Sequence, residues 1–171
     1  TLNAQQIIGV FFVGSIFVTP QCREYIAKYV PNILILFANA VLPLPNAYGV
    51  LSDEEDGTYH AVKRLAQAGR RSIAFVNDDE RSIEGGQFVT THILQQDPNT
   101  DAIVFSEDTT AVGCLHALQA TGKRIPDEVA VIGCNNSVYC TICYPQLTSI
   151  DNSLHETGRM AAKQMIRLLN H

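Results

Sequence analysis

The sequence predicts an α/β protein built on parallel sheets. Short runs of apolar residues rich in Val, Ile and Phe recur along the 171 residues, as expected of strands buried on both faces. Segments with helical spacing lie between them, and strands that alternate with helices imply parallel pairing through right-handed crossovers. In Asp101–Asp151 a cluster of short polar side chains follows each strand. Open parallel sheets place their ligands just beyond the carboxyl ends of strands.

Taken in order, Ile7–Val13 (IIGVFFV) is a buried strand and Ile16–Thr19 (IFVT) a second. Gln21–Tyr29 is a short helix, with Tyr25, Ile26 and Tyr29 at helical spacing. Ile33–Phe37 is a third strand, followed by a proline-bearing loop and a short extended piece at Val50–Leu51. Ser52–Ala68 is a helix, with Ser52 and Glu55 spaced for a capping box and Gly69 just past its end. Ala61, Val62, Leu65 and Ala66 line one face of it.

Ser72–Val76 is a strand that leads into the acidic loop NDDE, and Gln87–Gln95 is a helix with Phe88, Ile93 and Leu94 apolar. Ala102–Phe105 is a strand, Asp108 caps a helix that Gly122 ends, and Val129–Ile132 is a strand. Ser153 and Glu156 have the spacing of a second capping box, opening a final helix.

Composition narrows the function classes. Apolar residues make up 46% and charged residues 17%, which is globular rather than disordered. A net charge of −5 argues against this chain gripping nucleic acid by itself, because phosphate binding needs a basic face. No apolar run approaches the ~20 residues of a membrane span, and TLNAQQ lacks the basic segment of a secretory signal. The local basic cluster Gly69–Arg71 reads as a solvated helix end.

The five cysteines are odd in number. Cys22 and Cys114 read as small core residues. Cys140-x-x-Cys143 with Cys134 is short of the four ligands zinc usually needs, so no metal or other cofactor is expected and the thiols read as reduced in a cytosol. The five histidines are scattered, and no G-x-S-x-G, P-loop or G-x-G-x-x-G is present, so no enzyme is expected.

The segments AIVFSEDTTAVGCLHALQATGKRIPDEVAVIGCNN and PQLTSI resemble the effector-binding core of the lactose-repressor/galactose-repressor (LacI/GalR) family of bacterial transcription regulators. VLSDEEDGTYHAVKRLAQAGRRSIA and the opening IIGVFFV resemble earlier parts of the same core. The resemblance implies two Rossmann-like lobes with parallel sheets, a fold like that of type I periplasmic binding proteins, and a sugar-like small-molecule effector bound between the lobes. It divides the chain into an N-terminal lobe of residues 1–51 plus 149–171 and a C-terminal lobe of 52–148. It further implies a cytoplasmic homodimer that meets operator DNA through a headpiece expected before Thr1. The alternative is a periplasmic sugar-binding protein of a transport system, which shares the fold.

The family also suggests the site. Glu107 and Asp108 stand where it has Asn-Asp after a strand, and Asn135 and Asn136 where it has Asp-Asp. Glu107 is the better ligand contact, since a carboxylate accepts from paired hydroxyls. Asp108 reads as a helix cap. Asn135 offers a donor and an acceptor without charge, and reads equally as a loop-capping Asn. Asp53 matches the family's Asp at the first lobe crossing and also reads as a helix-start residue. Arg81 is a further candidate, because the family uses an Arg at a helix start to grip effector hydroxyls through its planar fork; the short spacing here does not align it with that position, and by default it reads as a surface Arg. Val13 and Gly14 end the first strand and are expected to line the cleft. Val112, Leu115 and Cys143 lie on segments the family uses for dimerisation, or pack in the core.

Spacing departs from the family in two places. Only Gly14 and Ser15 separate IIGVFFV from IFVT, and the stretch from Asn77 to Glu84 is short. A parallel pair needs a crossover of a dozen or more residues, so two parallel strands at Gly14–Ser15 would imply missing chain.

Overall fold

A computed structural model describes residues 7–14, 18–77 and 81–170. In chain order the elements are β1 (Gly9–Val13), α1 (Pro20–Tyr29), β2 (Leu34–Ala38), β3 (Ala47–Val50), α2 (Glu54–Gln67), β4 (Ile73–Val76), α3 (Ile83–Gln96), β5 (Ala102–Phe105), α4 (Asp108–Ala120), β6 (Ala130–Cys134), α5 (Tyr139–Ile142), β7 (Thr148–Ile150) and α6 (Leu154–Leu169). They form two units: residues 1–52 with 153–171, and residues 53–152. The second boundary falls four residues later than the 148/149 division expected, because Thr148–Ile150 pairs with β6 and holds its segment in unit 2.

In unit 1 the strands run in the order β1-β2-β3, all parallel. The side chains of β2 alternate between two layers, as the period of a strand requires. Ile35 and Phe37 pack with Ile26 of α1, and the ring of Phe37 stacks on Phe12 at 5.2 Å between centroids. Leu36 and Ala38 pack with Ala161 and Met165 of α6. Helix α1 begins at Thr19, whose Oγ1 accepts from the Cys22 amide at 3.1 Å, with Pro20 as its first residue.

The strand expected over Ile16–Thr19 is corrected in part: Val18 and Thr19 are not strand, and Ser15–Phe17 lie outside the described residues. The parallel partner of β1 is β2, and α1 lies in the connection between them, so this pairing finds its crossover within the chain.

Unit 2 holds four parallel strands in the order β4-β5-β6-β7. Alternation again divides the layers. Ile103, Phe105 and Val131 pack with Val112, Leu115 and Leu118 of α4, while Ala102, Val104, Ala130 and Ile132 pack with Ala61 and Leu65 of α2. Helices α3 and α4 approach closely through Gly86 and Gly113: a Cβ on either would lie 2.1 Å from a carbonyl oxygen of the other helix.

Several local expectations change. Helix α2 is capped by Asp53, which accepts from the Asp56 amide at 2.9 Å, while Ser52 donates its amide to Asn39 Oδ1 instead. The second capping box does not form: Ser153 is left-handed at φ 53° with no side-chain cap bond, and Glu156 pairs with Arg159. Phe88 is 77% exposed rather than core. Arg70 is not merely a solvated helix end, since its guanidinium donates to the carbonyls of Pro126 at 2.6 Å and Asp127 at 3.0 Å. Among the described residues no helix is long and apolar enough to cross a membrane.

Candidate functional site at the strand ends of unit 2

The parallel sheet of unit 2 delivers the carboxyl ends of β4 to β7 to one edge, and the polar residues collect there. Arg81 precedes Ser82, whose Oγ caps α3 by accepting from the Gly85 amide at 2.9 Å. Glu107 follows β5. Asn135 and Asn136 follow β6, and Asp151 and Asn152 follow β7.

Arg81 and Glu107, 26 residues apart, come together: Nη1 of Arg81 donates to Oε1 of Glu107 at 3.4 Å. Glu107 holds the cap position of α4 but makes no side-chain cap bond. The long single contact leaves most of the guanidinium's donors, and the second carboxylate oxygen, without a partner among the described residues.

Asp108 was expected to cap α4 but is its first residue, and its carboxylate bonds to other segments of unit 2. It is 1% exposed. Oδ1 accepts from Ser149 Oγ at 2.7 Å, and Oδ2 accepts from the Ser137 amide at 2.7 Å and from Cys140 Sγ at 3.3 Å. Its anchoring role depends on partners 29 to 41 residues away in the chain, which no local pattern reveals.

Asn135 and Asn136 have φ of 97° and 47°, left-handed values that Asn tolerates better than most residues. The Asn135 amide donates to Ile150 O at 2.9 Å. Its Oδ1 accepts from Nδ2 of the buried Asn152, which leaves its own Nδ2 as the group available to a ligand. Asn136 donates its amide to Ser149 Oγ at 3.0 Å and its Nδ2 to Asp151 at 3.2 Å. Sequence reasoning missed Ser149, Asp151 and Asn152 as supports of this loop; their signal was the run of polar residues at the end of PQLTSI and directly after it.

The other expected residues lie elsewhere. Asp53 caps α2. Val13, 66% exposed, and Gly14 end β1 in unit 1, with Gly14 at φ +91° and its amide donating to Ala38 O at 2.9 Å. Val112 and Leu115, expected at a dimer interface, are already covered by their own unit at 5% and 1% exposure. Cys143 is half-buried, and the exposed apolar side chains beside it are Val138, Ile142 and Tyr144.

Cys114, Cys134 and Cys140 are poor nucleophiles. Burial pushes the Cys114 thiol up to about 12. Burial, and then the negative charge of Glu54, push Cys134 up to about 11. Burial also raises Cys140. No group of three His, Cys, Asp or Glu side chains placed to hold a metal occurs among the described residues.

The strand ends therefore offer a cationic fork, a carboxylate and an amide donor, a set suited to hydroxyl groups. The periplasmic binding protein-like domain model matches residues 60–171. The chain belongs to that family, as an effector-binding core of the LacI/GalR kind. An HTH-type transcriptional regulator of Lachnoclostridium phytofermentans is 27% identical, with 99% of this chain and 61% of the relative covered. Catabolite control protein A of Priestia megaterium is 23% identical, over 97% of this chain and 59% of the relative. The chain thus spans about three fifths of these relatives.

The first alignment runs over 203 positions against 171 residues here, so that relative carries intervening segments this core lacks. A crystal structure of a LacI family transcriptional regulator from Arthrobacter, in complex with lactose, has a TM-score of 0.84 at 21% identity, over 98% of this chain and 70% of that one. These relatives are regulators, not enzymes.

Proposed function

We propose that this chain is the effector-sensing core of a LacI-type bacterial transcriptional regulator, and that its effector is a sugar or related polyhydroxyl metabolite. The single observation that carries the effector class is the meeting of Arg81 and Glu107 at the carboxyl end of β5, the strand next to β6, which Asn135 follows. A guanidinium and a carboxylate in loose contact present donors and acceptors together, as neighbouring hydroxyls require. The lactose held by the Arthrobacter relative supports the same class. On this reading the effector acts by its difference in affinity for two conformations of the core. That bias reaches operator DNA through a DNA-binding headpiece, in the cytoplasm.

A thermal-shift screen against lactose, cellobiose, ribose and their phosphates tests this reading, because a ligand that binds only the native state raises its apparent stability. Glu107→Gln is expected to weaken the sugar found by about tenfold or more, since a charge-assisted hydrogen bond contributes about 1.5–3 kcal/mol. Asn135→Asp, which removes the Nδ2 donor and keeps a residue tolerant of left-handed φ, is expected to act in the same direction. Unchanged affinity in both variants would sink the site.

We further propose that the core self-associates through the surface around Cys143. Val138, Ile142 and Tyr144, exposed at 66%, 68% and 88%, support this because three large apolar side chains are exposed within one short stretch of chain. Light scattering is expected to report twice the chain mass for the parent protein and a single chain mass for Tyr144→Asp. A variant that stays dimeric refutes this surface.

A further inference from the structure

We infer that Asp108 is a positioning residue, which fixes the left-handed loop Asn135–Ser137 and so sets where the amide of Asn135 stands relative to the carboxylate of Glu107. The inference deepens the effector-site reading and rests on it for the purpose of the loop. The bracing contacts lie within unit 2 alone.

Asp108 directly follows Glu107, and its backbone is held as the first residue of α4. Its two oxygens reach three partners on other segments. These are the Ser137 amide and Cys140 Sγ on the β6–α5 side, and Ser149 Oγ on β7. Ser149 Oγ donates to Asp108 and accepts from the Asn136 amide at 3.0 Å, so the carboxylate holds Asn136 through one hydroxyl. The approach depends on Gly133: a Cβ there would lie 2.3 Å from Asp108 Oδ1 and would push the carboxylate out of place.

A role in packing alone does not account for this. A carboxylate at 1% exposure is costly to desolvate, and an apolar side chain would fill the same space at less cost. Its negative charge in the first turn of α4 favours the helix dipole, but that role needs neither its burial nor the three bonds to other segments. Its acceptors go to a loop whose two consecutive asparagines sit in sparsely populated backbone conformations. Such conformations persist only where the surroundings over-determine them. Ser137, Cys140 and Ser149 are those surroundings, and Asp108 joins them.

The test compares amide hydrogen exchange in the parent chain, Asp108→Asn, Ser149→Ala and Ser149→Thr. Asp108→Asn replaces one of the two acceptor oxygens with an amide donor, so the side chain can no longer accept from both Ser149 Oγ and the Ser137 amide. Ser149→Ala removes only the relay to Asn136, and so serves if Asp108→Asn fails to fold.

Exchange at Asn136 and Ser137 is expected to rise about tenfold or more in Asp108→Asn, with the rise in Ser149→Ala centred on Asn136. Amides of β5 should stay within about twofold of the parent in Ser149→Ala. Ser149→Thr keeps the hydroxyl and is expected to restore slow exchange at Asn136, which a plain packing role would not require. The proposal is overturned if Ser149→Ala leaves Asn136 unchanged, if exchange rises equally throughout β5, or if Ser149→Thr does not rescue. Exchange is read without ligand. A sugar screen in which nothing binds therefore overturns the effector reading alone.

Discussion

Gly113→Ala is expected to destabilise unit 2 by about 3 kcal/mol or more, at the upper end of what overpacking costs. The added methyl would stand 2.1 Å from Ile83 O, 2.8 Å from the Gln87 amide nitrogen and 2.9 Å from Gly86 Cα. All three are backbone atoms of α3, so no rotamer change relieves the clash and the two helices must separate. Separation would open the layer in which Val112, Leu115 and Leu118 pack against Ile103 and Phe105. Gly158 of α6 provides the control, because a Cβ there meets nothing within 4 Å. Gly158→Ala is expected to stabilise by about 0.5–1 kcal/mol, through helix propensity and reduced freedom of the unfolded chain. Chemical denaturation of the two variants should move their midpoints in opposite directions. A Gly113→Ala protein as stable as its parent would contradict the close approach of α3 and α4.

Phe105→Ala is expected to cost about 3–5 kcal/mol. The ring is fully buried at the end of β5, among side chains of α4 and the neighbouring strands. Its removal loses the transfer free energy of the ring and leaves a cavity lined by residues fixed in strands and helices. Against a total stability of about 5–15 kcal/mol, this is a large share. Phe88, on the exposed side of α3 at 77% exposure, is the matched comparison, and Phe88→Ala should change stability by less than about 0.5 kcal/mol. Equal losses in the two variants would refute the burial pattern.

The strands that the sequence marked most clearly are those buried on both faces, such as Ala102–Phe105, whose every residue is buried. A continuous apolar run is the direct imprint of that environment. Strand β7 left no such imprint, because Thr148–Ile150 is three residues long and only partly covered, and becomes a strand by pairing with β6. The capping residue of α2 was misplaced by one position, since Ser52 and Asp53 are both good caps and only the fold decides which side chain faces the helix.

The site shows the same division. Glu107 and Asn135 were legible as polar residues following strands. That Arg81 meets Glu107 was not, because the contact joins residues on two separate crossovers. Asp108 was the least legible, since a helix-start Asp reads locally as a cap while its actual partners lie on two later segments.

Unit 1 is assembled from two stretches of chain with all of unit 2 between them. The face of its sheet that carries Leu36 and Ala38 is covered by Ala161 and Met165. During synthesis at about 5–20 residues per second, that apolar face stays bare until some hundred further residues have been made. Unit 2 is continuous in sequence and can close first. A nascent chain stalled before α6 would therefore carry one finished unit and one open sheet, the kind of surface that chaperones hold and that aggregates when they do not.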